Sequence, residues 1–117
     1  MSSKITHRFY ESNKEIAIID LTPEVLGGTE ALDFSNTINE LADAGVKCVV
    51  VDLGKVGIMN SSGLGMLVSG YSSLKKKNIN LILANLPKKV EKLLEMTHLI
   101  NVFDIQASVE GAIKSCE

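Results

Sequence analysis

Short aliphatic and β-branched runs alternate with stretches of helical apolar spacing along this chain, and that alternation leaves few folds open. Glu15-Ile16-Ala17-Ile18-Ile19-Asp20, Lys47 to Leu53 and Asn78 to Ala84 have the length and composition of strands. Between them, Ala31, Phe34, Ile38, Leu41 and Ala42 recur at helical spacing, as do Leu64, Leu67, Val68, Tyr71 and Leu74. Strands separated by helices need crossover connections, which favour a mainly parallel sheet flanked by helices.

The remaining segments fit this scheme. Residues 4 to 10 and 14 to 20 read as a hairpin around the turn-forming Glu11-Ser12-Asn13, so the first strand joins the sheet antiparallel. The second strand is apolar on both faces toward its end, which predicts a central position. Pro23 and the paired glycines make Thr22-Pro23-Glu24-Val25-Leu26-Gly27-Gly28 a loop. Thr29, with Glu30 and Asp33, suits a capped acidic first turn, and Gly45 ends that helix. Pro87 opens a third helix with Val90, Leu93 and Leu94 inward. Leu99 to Ile105 contains a short last strand. Ser108 caps a final helix to Ser115, although Gly111 stands where a capping box wants Glu or Gln. The prediction is one α/β domain over residues 1–117, with a mixed, mostly parallel sheet of about five strands and about four helices.

Composition narrows the function. A formal net charge of −2 gives no broad basic surface for nucleic acid, and Lys75-Lys76-Lys77 suits the negative end of a helix. No run approaches the roughly 18 apolar residues of a membrane span, and Met1 to Arg8 lacks the apolar stretch of a secretion signal. Cys48, in a buried strand, and Cys116, at the tail, read as separate thiols, which together with these absences points to the cytoplasm. Neither a zinc spacing nor a C-x-x-C occurs, so no metal or other cofactor is expected.

The chemistry concentrates where the strand Val49-Val50-Val51-Asp52-Leu53 gives way to Gly54-Lys55-Val56-Gly57-Ile58-Met59-Asn60-Ser61-Ser62-Gly63-Leu64-Gly65. This turn carries two serines onto a helical repeat, among free backbone N–H groups and the positive end of the helix dipole. Such a place accommodates phosphate. Asn60 and the serines are also good N-caps worth about 1 kcal/mol, so a purely structural role stands beside the functional one. Gly63 and Gly65 each cost roughly 1 kcal/mol in a helix, which makes sense where another backbone or a partner comes close.

Several enzymatic readings fail. Gly65 to Gly70 matches the first half of a phosphate-loop pattern, but Tyr71 stands where Lys is required. Gly63-Leu64-Gly65 is not continued as a dinucleotide fingerprint, since Val68 takes the place of the third glycine. A nucleophile elbow on Ser61 or Ser62 would need Gly at Met59 or Asn60. The only histidines, His7 and His98, read as ordinary residues, and no catalytic residue is assigned.

The segments Val50-Val51-Asp52-Leu53 and Asn60-Ser61-Ser62-Gly63-Leu64-Gly65, with Leu81-Ile82-Leu83-Ala84-Asn85 and the stretch from Val90 to Leu99, resemble STAS domains, in particular bacterial anti-sigma-factor antagonists. The resemblance implies a non-enzymatic, cytoplasmic regulator in which Ser61 accepts phosphate from a GHKL-type anti-sigma-factor serine kinase. A metal-dependent serine phosphatase would remove that phosphate. It implies partner switching: the unmodified protein docks the kinase through Pro23, Glu24, Val25, Asn60, Ser62, Gly63, Leu64 and Met66, freeing the sigma factor. The chain departs from the family pattern in two places. Asn60 replaces the usual Asp before the acceptor, and Leu21 to Gly28 replaces a short Gly-x-Leu-Asp turn. Two alternatives remain: a non-phosphorylated scaffold or oligomerising STAS module, and a small-ligand or nucleotide binder using the same helix N-terminus.

Overall fold

A computed structural model describes residues 5–117. Its main sheet has five strands in the order β1-β2-β4-β6-β7. They are β1 (Thr6–Tyr10), β2 (Asn13–Asp20), β4 (Cys48–Asp52), β6 (Asn80–Ala84) and β7 (Asp104–Gln106). β1 runs antiparallel to β2, and the pairs β2–β4, β4–β6 and β6–β7 are parallel. Four helices complete the domain: α1 (Thr29–Asp43), α2 (Ser61–Lys76), α3 (Lys88–Met96) and α4 (Val109–Cys116). Two-residue strands β3 (Glu24–Val25) and β5 (Ile58–Met59) form a separate parallel ribbon. The expected fold class is therefore observed; Lys4, the expected start of the first strand, lies outside the described residues.

Strand alternation divides the core. Ala17, Ile19, Val49, Val51, Leu81 and Leu83 face one layer, packing with Phe34, Ile38 and Leu41 of α1, Leu67 and Leu74 of α2, and Val90 and Leu94 of α3. Ile16, Ile18, Cys48, Val50, Ile82 and Ala84 face the other, where Ala112 and Ile113 of α4 cover them. Val49, Val50 and Val51 are fully buried, as residues of a strand covered on both faces must be.

Four expectations change. β4 is the central strand, while β2 lies one place in from the edge, shielded laterally by β1. The Thr22–Gly28 loop contains β3, which two residues of pairing make too short for a period-2 pattern to reveal. Thr29 is the first residue of α1 rather than its cap; Gly28 holds the N-cap position with no side-chain hydrogen bond. The Thr22 hydroxyl instead meets the Glu30 carboxylate and the Glu24 carbonyl, turning that first-turn acid toward the loop. Cys48 and Cys116, expected as separate thiols, form a disulfide across 68 positions, because α4 returns its last turn onto the strand at the middle of the sheet.

Other local features follow their residues. Gly45 takes φ +91° just beyond α1, the left-handed conformation that glycine adopts without steric cost. Pro87 is the N-cap of α3, and Ser108 caps α4 by accepting from the Gly111 N–H at 3.0 Å.

Candidate functional site

The chain leaves β4 at Asp52, whose Oδ1 accepts from Gly54 N–H at 2.8 Å and from the Asn85 side chain at 3.1 Å. The loop then meets Pro23, whose carbonyl accepts from the Gly57 and Ile58 N–H groups at 2.8 and 3.1 Å. Glu24 pairs with Ile58 and Val25 with Met59, so the loop before α1 is bound to the segment entering α2. Asn60 follows in extended conformation. Its N–H donates to the Val25 carbonyl at 3.4 Å, and its Oδ1 accepts from the Gly63 N–H at 2.9 Å.

Ser61 and Ser62 are the first two residues of α2, and both are exposed. The first turn of α2 contains no acidic residue, whereas Lys75 and Lys76 occupy the last. Charge placement thus leaves the positive end of the helix dipole uncompensated at the serines and complements the negative end.

Two glycines fix how closely the segments meet. A Cβ on Gly63 would fall inside the contact distance of the Val25 carbonyl oxygen and 2.8 Å from its carbon. The close approach anticipated at Gly63 is therefore made by another backbone. A Cβ on Gly65 would meet nothing within 4 Å. Gly27, at φ +89°, brings the loop against the Cβ of Ser62, placing residues 23–28 beside the serines.

The sequence-predicted partner residues separate by burial. Pro23, Glu24, Asn60 and Ser62 are exposed with Ser61. Val25, Leu64 and Met66 are at most 5% exposed and pack in the core, and Gly63 is buried beneath Val25. A docking role through those four side-chain positions is thus corrected: they support the surface from below. Leu26 (43%) and Ile58 (53%) are exposed apolar residues of the same two segments that sequence reasoning missed. Their only sequence signal is position, next to the turn glycines Gly27 and Gly57.

His7 lies on β1 and His98 beyond α3, both exposed. Among the described residues, no group of three or more His, Cys, Asp or Glu side chains is arranged to hold a metal ion. No helix among them is long and apolar enough to cross a membrane. A cleft of about 150 Å³ between α1 and α2 is lined by Ser35, Asn39, Ser69 and Ser73 over Phe34, Ile38 and Met66, on the flank of α2 rather than at its N-terminus.

Known proteins resemble this chain in sequence and fold. The chain is 36% identical over 61 residues to an anti-sigma-B factor antagonist of Listeria monocytogenes, a match covering 52% of this chain and 53% of that protein. The chain thus spans about half the length of that relative. An anti-sigma-factor antagonist (STAS) domain protein from Planctomyces limnophilus shares the fold with a TM-score of 0.78 at 17% identity, over 97% of this chain and 98% of that one. The Bacillus cell fate determinant SpoIIAA in its phosphorylated form does so at 0.71 and 18%, over 96% and 100%. The STAS domain model matches residues 10–112, and the chain belongs to the STAS domain family.

Proposed function

We propose that this protein is an anti-sigma-factor antagonist whose partner choice is switched by phosphorylation of Ser61. The observation that carries the reading is an exposed hydroxyl on the first residue of α2, beside a capped turn and without a neighbouring acid in that turn. Support also comes from the Listeria relative named as an anti-sigma-B factor antagonist and from a fold neighbour described in a phosphorylated form.

In this reading residues 1–117 act as one cytoplasmic, non-enzymatic module. The unmodified surface of Pro23, Glu24, Asn60, Ser61 and Ser62 docks a GHKL-type anti-sigma-factor kinase, releasing the sigma factor. Phosphorylation adds nearly two negative charges and three acceptor oxygens. The N-terminus of α2 tolerates them within the domain. A partner surface fitted to a neutral hydroxyl must desolvate or repel them. About 2.8 kcal/mol of such mismatch lowers affinity ~100-fold, and no refolding is required. A metal-dependent serine phosphatase restores docking. Asn60 keeps the cap while placing no carboxylate beside the phosphate.

Incubation with the organism's anti-sigma kinase and ATP should add one phosphate by intact mass to the wild type and none to Ser61→Ala. Ser61→Ala should bind the kinase constitutively and Ser61→Asp poorly. Equal binding by the two variants, or unchanged mass of the wild type, would refute the switch.

A further inference from the structure

The face of the sheet opposite the serines is closed by one short helix. The eight residues of α4 cover Ile16, Ile18, Val50, Ile82 and Ala84, mainly through Ala112 and Ile113. A helix this short has little stability of its own, and Gly111 within it lowers that further. Its last turn is bonded from Cys116 to Cys48, where β4 begins at the middle of the sheet, with Cα atoms 6.0 Å apart. The two sulfurs differ in access: Cys48 is 3% exposed, whereas Cys116 is partly exposed.

We propose that the Cys48–Cys116 pair is a redox latch that holds α4 on the sheet when oxidised and lets α4 open when reduced. Closure takes a low-molecular-weight disulfide as oxidant. One protein thiolate attacks it, forming a mixed disulfide and expelling one small thiolate. The second protein thiolate attacks the mixed disulfide and expels the other. Overall, two protein thiols and one small disulfide become one protein disulfide and two small thiols. Opening is the reverse, begun by an external thiolate at Cys116 Sγ. The sulfur anion then left at Cys48 lies among Ile16, Ile18, Val50 and Ile82. Separating that charge from water is costly, so reduction is slow while α4 remains docked. The latch acts on the face away from Ser61 and stands independently of any role for that serine.

Without the bond, the only covalent link from Cys116 to the sheet is the run of roughly ten residues that follows β7. Loop-closure entropy for such a ring corresponds to about 100-fold in the opening equilibrium. Hydrogen exchange on the full chain, equilibrated with glutathione disulfide or with excess dithiothreitol, tests this. Amides of Ala112, Ile113 and Lys114 should exchange about 10- to 100-fold faster in the reduced protein, with those of β6 and α2 unchanged. Cys116→Ser should show the fast α4 exchange under both conditions. The proposal is overturned if the two redox forms protect α4 equally. It is also overturned if reduction loosens β6 as much as α4, or if the disulfide-treated protein retains two alkylatable thiols by mass.

Discussion

Replacing Gly63 and Gly65 by alanine should change stability in opposite directions, although the positions share a turn of α2. At Gly63 the added methyl meets the Val25 carbonyl, and its next neighbour, Val25 Cγ1, is only 3.0 Å away. Backbone cannot swing aside as a flexible side chain can, so Val25 must move. Overpacking costs about 1–3 kcal/mol. Loss of the bond from Asn60 N–H to the Val25 carbonyl adds about 1 kcal/mol. Against this, alanine contributes up to about 1 kcal/mol of helix propensity. The net expectation is a loss of about 1–3 kcal/mol for Gly63→Ala. At Gly65 the methyl enters open space, so only the propensity gain of about 0.5–1 kcal/mol remains. For a 117-residue domain these values correspond to about 4 °C per kcal/mol. Thermal unfolding followed by circular dichroism should place Gly63→Ala roughly 4–12 °C below wild type and Gly65→Ala about 2–4 °C above it. Gly70→Ala is an intermediate control, because its methyl meets the Phe34 ring edge at 2.6 Å and Ile38 Cδ1 at 2.7 Å, both of them side chains. Equal melting temperatures for the first two variants, or a loss at Gly65, would refute the close approach of the loop to α2.

Asn60→Ala removes the acceptor for the Gly63 N–H and should lower the melting temperature by about 4 °C, or about 1 kcal/mol, whereas Asn60→Asp retains the cap and should match wild type. Thr22→Val leaves the Glu30 carboxylate and Glu24 carbonyl without their hydroxyl partner. It should cost about 1–2 kcal/mol, seen as a lower urea midpoint at unchanged slope.

Long-period features of the fold were legible, and features decided by a second segment were not. The stripes through Phe34, Ile38 and Leu41 and through Leu64, Leu67 and Leu74 give α1 and α2 directly, because burial of one helical face requires that spacing. The Asn60 cap was equally readable, since donor and acceptor lie three residues apart. Met66 was misread as surface because α2 packs against α1 as well as the sheet, widening its buried face beyond one stripe. Thr29 resembles a cap in sequence, but the acid that would support it is held by Thr22 from the preceding loop. The cysteine pairing depends on where α4 lands, and no spacing rule connects positions 68 apart. Ile58, in the two-residue β5, and Leu26, one residue past β3, show the converse case, apolar residues left outward by a ribbon too short to impose a pattern.

The ribbon of β3 and β5 also separates two kinds of heritable change. Along Pro23-Glu24-Val25-Leu26, Val25 points into the protein while its neighbours face water, and only Val25 bears on the backbone at Gly63. Under the proposed switch, divergence at the outward letters would redirect which protein is recognised without disturbing how Ser61 is presented, and relatives built on this clasp would change allegiance while keeping one trigger.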